Sequence, residues 1–140
     1  MKRPVVVLGV ALFLSTVIVG CKKGIDKVLV GTWNVTNVEV NVIENGLTVF
    51  SEADTVPVGT VTFRNNGKGE QNYSFQYNGT QSQTGSFSWS ATDDLIIINR
   101  NDDSDMEWRR IVNTSNKQIA SFNILKNADQ SVDYTLTLEK

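Results

Sequence analysis

The chain carries 13 Lys and Arg against 15 Asp and Glu over 140 residues, with no histidine and one cysteine. That length suits one ordinary domain rather than two, and a slightly acidic chain lacks the basic stripe that phosphate-backbone binding needs, so no nucleic-acid partner is expected. The absence of histidine excludes Ser-His and Cys-His catalytic dyads and imidazole metal sites, and neither an enzymatic activity nor a cofactor is expected.

At the N-terminus, Lys2 and Arg3 precede an apolar run of about fifteen residues. A permanent membrane helix needs about twenty, so the run reads as an export signal. Ile18-Val19-Gly20-Cys21 resembles the lipobox of bacterial lipoproteins. The resemblance implies that residues 1–20 are a lipoprotein signal peptide that is removed, and that Cys21 becomes the lipidated first residue, bearing a diacylglycerol and commonly a further acyl chain such as palmitate. One chain, at about 0.8 kcal/mol per buried methylene, holds a protein only marginally, whereas two or three form a stable anchor.

Removal of the signal leaves 11 basic and 15 acidic side chains, a net charge of −4. Lys22 stands where the inner-membrane retention signal of enterobacterial lipoproteins has Asp, and residues 22–26 lack the acidic pair that sends lipoproteins of Bacteroides-type bacteria to the cell surface. The expected location is the outer membrane, facing the periplasm. Residues 21–30 read as a lipidated tether and 31–140 as the folded domain.

From there the chain repeats one rhythm: β-branched and aromatic residues in rough alternation, then a cluster of Asn, Asp, Gly or Ser. Residues 32–42 change phase at Asn37, which predicts a bulge or bend. Asn45-Gly46 is a hairpin signal and 47–50 returns. Residues 51–57 read as a polar loop ended by Pro57, and 58–63 as a strand. Residues 71–78 place Tyr73, Phe75 and Tyr77 on one face, and the return aligns Phe87, Trp89 and Ala91. The run 95–99 suits a strand buried on both faces, and 106–113, 118–125 and 132–140 complete about nine strands. Short links predict an all-β, antiparallel up-and-down meander, and closing it into a barrel removes two exposed edges. A two-sheet sandwich is the alternative.

Gly31-Thr32-Trp33 resembles the Gly-x-Trp that opens lipocalins and related calycins. Val61-Thr62-Phe63 leading to Asn66-Gly67-Lys68-Gly69, then Phe87-Ser88-Trp89, Leu95-Ile96-Ile97 and Trp108 resemble the lipocalin-like domains of small lipoproteins from Bacteroides-type bacteria. The resemblance spans 31–140 and implies a calycin barrel of about eight or nine strands. It also implies that Trp33 closes the floor under a basic residue of the last strand, for which Lys140 is the candidate.

Small barrels either fill their interior with side chains or hold one small apolar ligand. The expected function is binding of a small apolar or amphipathic molecule in the cell envelope, with Trp33, Phe75, Phe87, Trp89 and Trp108 as the expected lining of the pocket. The alternative is a non-catalytic envelope module that binds a protein or glycan through loops such as 51–57. Glu39, Glu70 and Glu107 are the strand glutamates that a carboxylate mechanism would need to converge, and outward, solvated positions are expected instead. Residues 101–107 space oxygen donors like the start of a calcium loop, but Met106 replaces the needed glycine and Val112 the closing glutamate; no metal is expected. Asp54-Thr55-Val56 resembles the O-glycosylation site of exported proteins of Bacteroides-type bacteria, with Thr55 as acceptor.

Overall fold

The structure, a computed structural model, describes residues 24–101 and 105–140. The signal segment and Cys21 lie outside the described residues. The strands are β1 (Gly31–Glu44), β2 (Leu47–Asp54), β3 (Val58–Phe63), β4 (Lys68–Gln76), β5 (Thr80–Ala91), β6 (Leu95–Asn99), β7 (Met106–Asn113), β8 (Lys117–Leu125) and β9 (Gln130–Glu139). Every pairing is antiparallel between chain neighbours, except that β1 also pairs β3 and β9. The β1–β9 ladder runs from Asn34↔Glu139 to Glu44↔Gln130 and closes an eight-strand barrel, with β2 as an extra strand. Closure through β1–β9 excludes the two-sheet sandwich, and among the described residues β2 pairs with β1 alone.

The phase change read at Asn37 is a register shift between Val35 and Asn37 on the β9 side, which bends β1 around the barrel. The loop expected over 51–57 is shorter. Asn45 and Gly46 adopt positive φ (50° and 78°) and launch a hairpin that pairs as far as Val38↔Asp54. Ladder hydrogen bonds are indifferent to side-chain polarity, so β2 persists although Leu47 to Ala53 are all exposed. For the same reason β4 begins at Lys68 and β5 at Thr80, where polar residues are paired along the β4–β5 ladder. The run 95–99 is not buried on both faces: Ile96 and Ile98 are fully buried, while Leu95 and Ile97 are half-buried on the outer side.

The expected ten-residue tether is also corrected. Gly24 exchanges backbone hydrogen bonds with Ala91 (3.3 and 2.8 Å), and Leu29 is fully buried in the core. Burial of an apolar side chain under the barrel floor holds residues 24–30 in place as part of the folded domain. The turns at 64–67, 92–94 and 114–116 share this closed end, and the turns at 45–46, 77–79 and 126–129 lie at the open end.

Candidate ligand site in the upper barrel

The closed end is a filled aromatic floor. Trp33 is fully buried, its Nε1–H donates to the Leu29 carbonyl at 2.7 Å, and the Lys140 ammonium lies 4.3 Å from its ring centroid. Lys140 Nζ also donates to the Val30 carbonyl at 3.1 Å, which fixes the cation over the ring. Gly31 permits this: its φ is +134°, and a Cβ there would stand 3.1 Å from Lys140 Cε. Phe63 packs edge-on against Phe87 (5.6 Å) and Trp89 (5.3 Å), and Trp89 Nε1–H is shared between the Arg64 and Lys68 carbonyls. Gly69 makes room for Phe87, whose ring would stand 2.2 Å from an added Cβ. Trp33, Phe87 and Trp89 therefore sit in packed floor, apart from the void described next.

That void, of about 50 Å³, lies in the upper half and is lined by Phe75 and Trp108 together with Gln71, Tyr73, Gln83, Ile98, Arg100, Met106, Phe122, Ile124 and Tyr134. The structure thus brings together two of the five expected lining residues. Trp108, Phe122 and Tyr134 form a parallel stack, with centroids 5.2 Å apart at each step and interplanar angles of 13° and 14°. Phe75 meets Tyr134 edge-on at 6.3 Å.

The stack spans a break in the wall. Pairing between β7 and β8 ends at Arg109↔Ser121, past a register shift between Arg110 and Val112, and Met106 to Trp108 have no ladder partner on β8. Two surface grooves of about 280 and 710 Å³ occupy this split. Phe122 lines both the void and the first groove; Arg100, Met106 and Ile124 line both the void and the second.

The chemistry of the void is mixed. Burial pushes the Tyr73 phenol well above its ordinary range against the opposing charge of Arg100, and burial also raises Tyr134, aided by Tyr77. Both phenols are therefore neutral donors at physiological pH. Gln71 is buried, in phase with Tyr73 and Phe75. Aromatic planes, two amides, two phenols and a guanidinium suit a molecule with a flat apolar body and a polar end.

The residues missed by sequence reasoning carried a faint signal. Phe122 and Ile124 continue the inward phase of Gln118 and Ala120, and Gln71 is a polar residue at an inward position. Tyr73, Phe122 and Tyr134 belong to the chain's aromatic set, but nothing local ranks them above Trp33. Arg100 lies beyond the end of β6, where no periodicity speaks.

Glu39 accepts from Asn41 Nδ2 at 3.0 Å, Glu70 pairs with Arg64 at 3.0 Å and Glu107 is exposed, so the three do not converge. Of the segment 101–107, residues 102–104 lie outside the described residues. Thr55 is exposed, and the Asp54 carboxylate beside it accepts from the backbone N–H of Val56 (2.9 Å) and of Gln76 (2.8 Å).

The family model for the lipocalin-like domain matches residues 29–137. The chain belongs to that lipocalin-like family, and the match begins at Leu29, under the barrel floor. No curated protein matches the chain. Among solved structures it is similar to a bovine odorant binding protein, a deswapped triple mutant, at 13% identity and a TM-score of 0.44 over 81% of this chain and 74% of that one. It is also similar to a dog lipocalin allergen, at 19% identity and a TM-score of 0.46 over 80% and 73%.

Proposed function

We propose that the mature protein is a lipid-anchored envelope lipoprotein, held to the outer membrane through Cys21 and facing the periplasm, whose barrel binds one small amphipathic molecule without catalysis. The supporting observation is the shared lining of void and grooves by Phe122, Arg100, Met106 and Ile124. A flat apolar body would pass between β7 and β8 by displacing Phe122 from its stack and take over its ring contacts. Each such contact is worth about 0.5–1.5 kcal/mol. The polar end would meet Arg100 or the amides of Gln71 and Gln83.

Trp108 lines the void, whereas Trp33 and Trp89 do not. Titration with long-chain fatty acids and planar dyes should therefore quench tryptophan emission saturably, and Trp108→Phe should abolish the response while leaving the remaining emission intact. No saturable response across the panel would favour the second reading, a filled barrel acting as an interaction module for a protein or glycan. Two observations support that reading: a void of about 50 Å³, below the roughly 300–1,000 Å³ of ordinary ligand pockets, and the exposed apolar residues Leu47, Val49, Phe50, Val56 and Val58. Thr55 is the proposed O-glycosylation acceptor, tested by the intact mass of the native protein against Thr55→Ala.

A further inference from the structure

Residues 24–30 cross the closed end of the barrel and are fastened along their length. Gly24 bridges to Ala91, Asp26 pairs with the buried Arg110 guanidinium, Leu29 is fully buried, and Lys140 Nζ holds the Val30 carbonyl. Two apolar side chains of the same segment turn outward, Ile25 at 42% and Val28 at 40% exposure, with the exposed Lys27 between them.

Cys21 precedes Gly24 by three residues. A fully extended chain covers at most about 3.6 Å per residue, so an anchor three residues before Gly24 can hold it at a distance of about 11 Å at most. The ten residues of β9 run for about 33 Å along the strand. A free ten-residue tether would let the barrel tumble above the bilayer, but three residues leave no such slack.

We infer that the closed end is a membrane-docking face. Ile25 and Val28 enter the boundary between headgroups and acyl chains, Lys27 meets the lipid phosphates, and the open end with the β7–β8 split points into the aqueous phase. The inference rests on the lipid anchor at Cys21 proposed above, and the two can fail separately.

The test places a thiol-reactive fluorophore at Val28→Cys, Phe50→Cys or Ala128→Cys in the lipidated full chain, whose Cys21 sulfur is blocked by its lipid. The protein is reconstituted in vesicles of phosphatidylethanolamine and phosphatidylglycerol. A nitroxide carried on the lipid should quench the label at position 28 several-fold more than the label at 128, and aqueous iodide should show the reverse order. Adding Asp26→Ala, which frees the segment, should narrow the difference. Equal lipid quenching at 28 and 128, or strongest quenching at 50, in protein that still floats with vesicles would overturn the docking face alone. Protein that washes off the vesicles, with a Cys21 mass free of acyl chains, would overturn the anchor and the docking face together.

Discussion

The two ends of the barrel are built from the same aromatic side chains but secured differently. At the closed end, the indole N–H groups of Trp33 and Trp89 donate to backbone carbonyls, and a cation caps Trp33. At the open end, the Trp108 N–H donates to the sulfur of Met106, a weak acceptor on a flexible side chain. The wall beside Trp108 is held by ring stacking in place of a ladder. Backbone ties fix a ring in one pose, whereas a stacked ring has no such directional tie, and this difference is what the binding proposed above for the open end relies on.

Trp33→Ala should break this contrast most strongly. Removing a fully buried ring costs about 3–5 kcal/mol, and here it also removes the aromatic face under the Lys140 ammonium. Urea unfolding should show a loss in that range; a loss near that of an open-end ring would mean that the floor is no better secured than the mouth.

Next in size is Asp26→Ala. The Arg110 side chain is 1% exposed and donates to Asp26, the Thr92 carbonyl, Asn113 and Gln118, while its Nε has no partner. Losing the only carboxylate in that set strands a buried charge, at about 3 kcal/mol. Burial opposes ionisation of Asp26, but hydrogen bonds from Arg110 and the Val28 N–H, with the Arg110 charge, hold its carboxyl below the ordinary 3.8. A depressed carboxylate stabilises the fold fully above its unfolded-state value, and this contribution fades as pH falls through the folded one. Acid titration of the native protein should therefore loosen residues 24–30 below about pH 4, a transition that hydrogen exchange detects and that the variant should lack.

Part of the closed end was legible in the sequence. Gly31-x-Trp33 and Lys140 were legible through the family resemblance, and the structure adds the physical reason: a positive-φ glycine lets the lysine stem lie across the indole. Arg110 was not legible: in sequence it is half of a basic pair with Arg109, and its inward turn depends on Asp26, 84 residues away. The split between β7 and β8 was hidden for a related reason. Alternation says which way a side chain faces, but the end of a ladder depends on where a bulge changes register, and nothing in Met106 to Asn113 marks that place.

Gly69→Ala should have an intermediate effect. The methyl would meet the Phe87 ring at 2.2 Å and the Thr62 carbonyl at 2.8 Å, and overpacking of this kind costs about 1–3 kcal/mol. Phe122→Leu should cost least among the substitutions, about 1 kcal/mol from the two lost ring stacks, because Phe122 is only half-buried. Its effect on ligand quenching should be far larger than its effect on the unfolding midpoint, the reverse of the pattern for Gly69→Ala.

The smallest effect needs no mutation. Arg110 N–H donates toward β6, to the Asp94 carbonyl, so by alternation the backbone groups of Arg109 and Glu107 face β8. Arg109↔Ser121 is the last rung there, and the next would join Glu107 to Asn123 across the split. The amides of Glu107 and Asn123 should therefore exchange with solvent faster than those of Arg109 and Ser121, without any global unfolding. A bound ligand that wedges the strands apart should leave them fast, whereas one that draws β7 and β8 together should protect them. Protection of Glu107 and Asn123 equal to that of Arg109 and Ser121 in the ligand-free protein would mean that the wall is closed, and the way into the upper barrel would then have to be the turns at its rim.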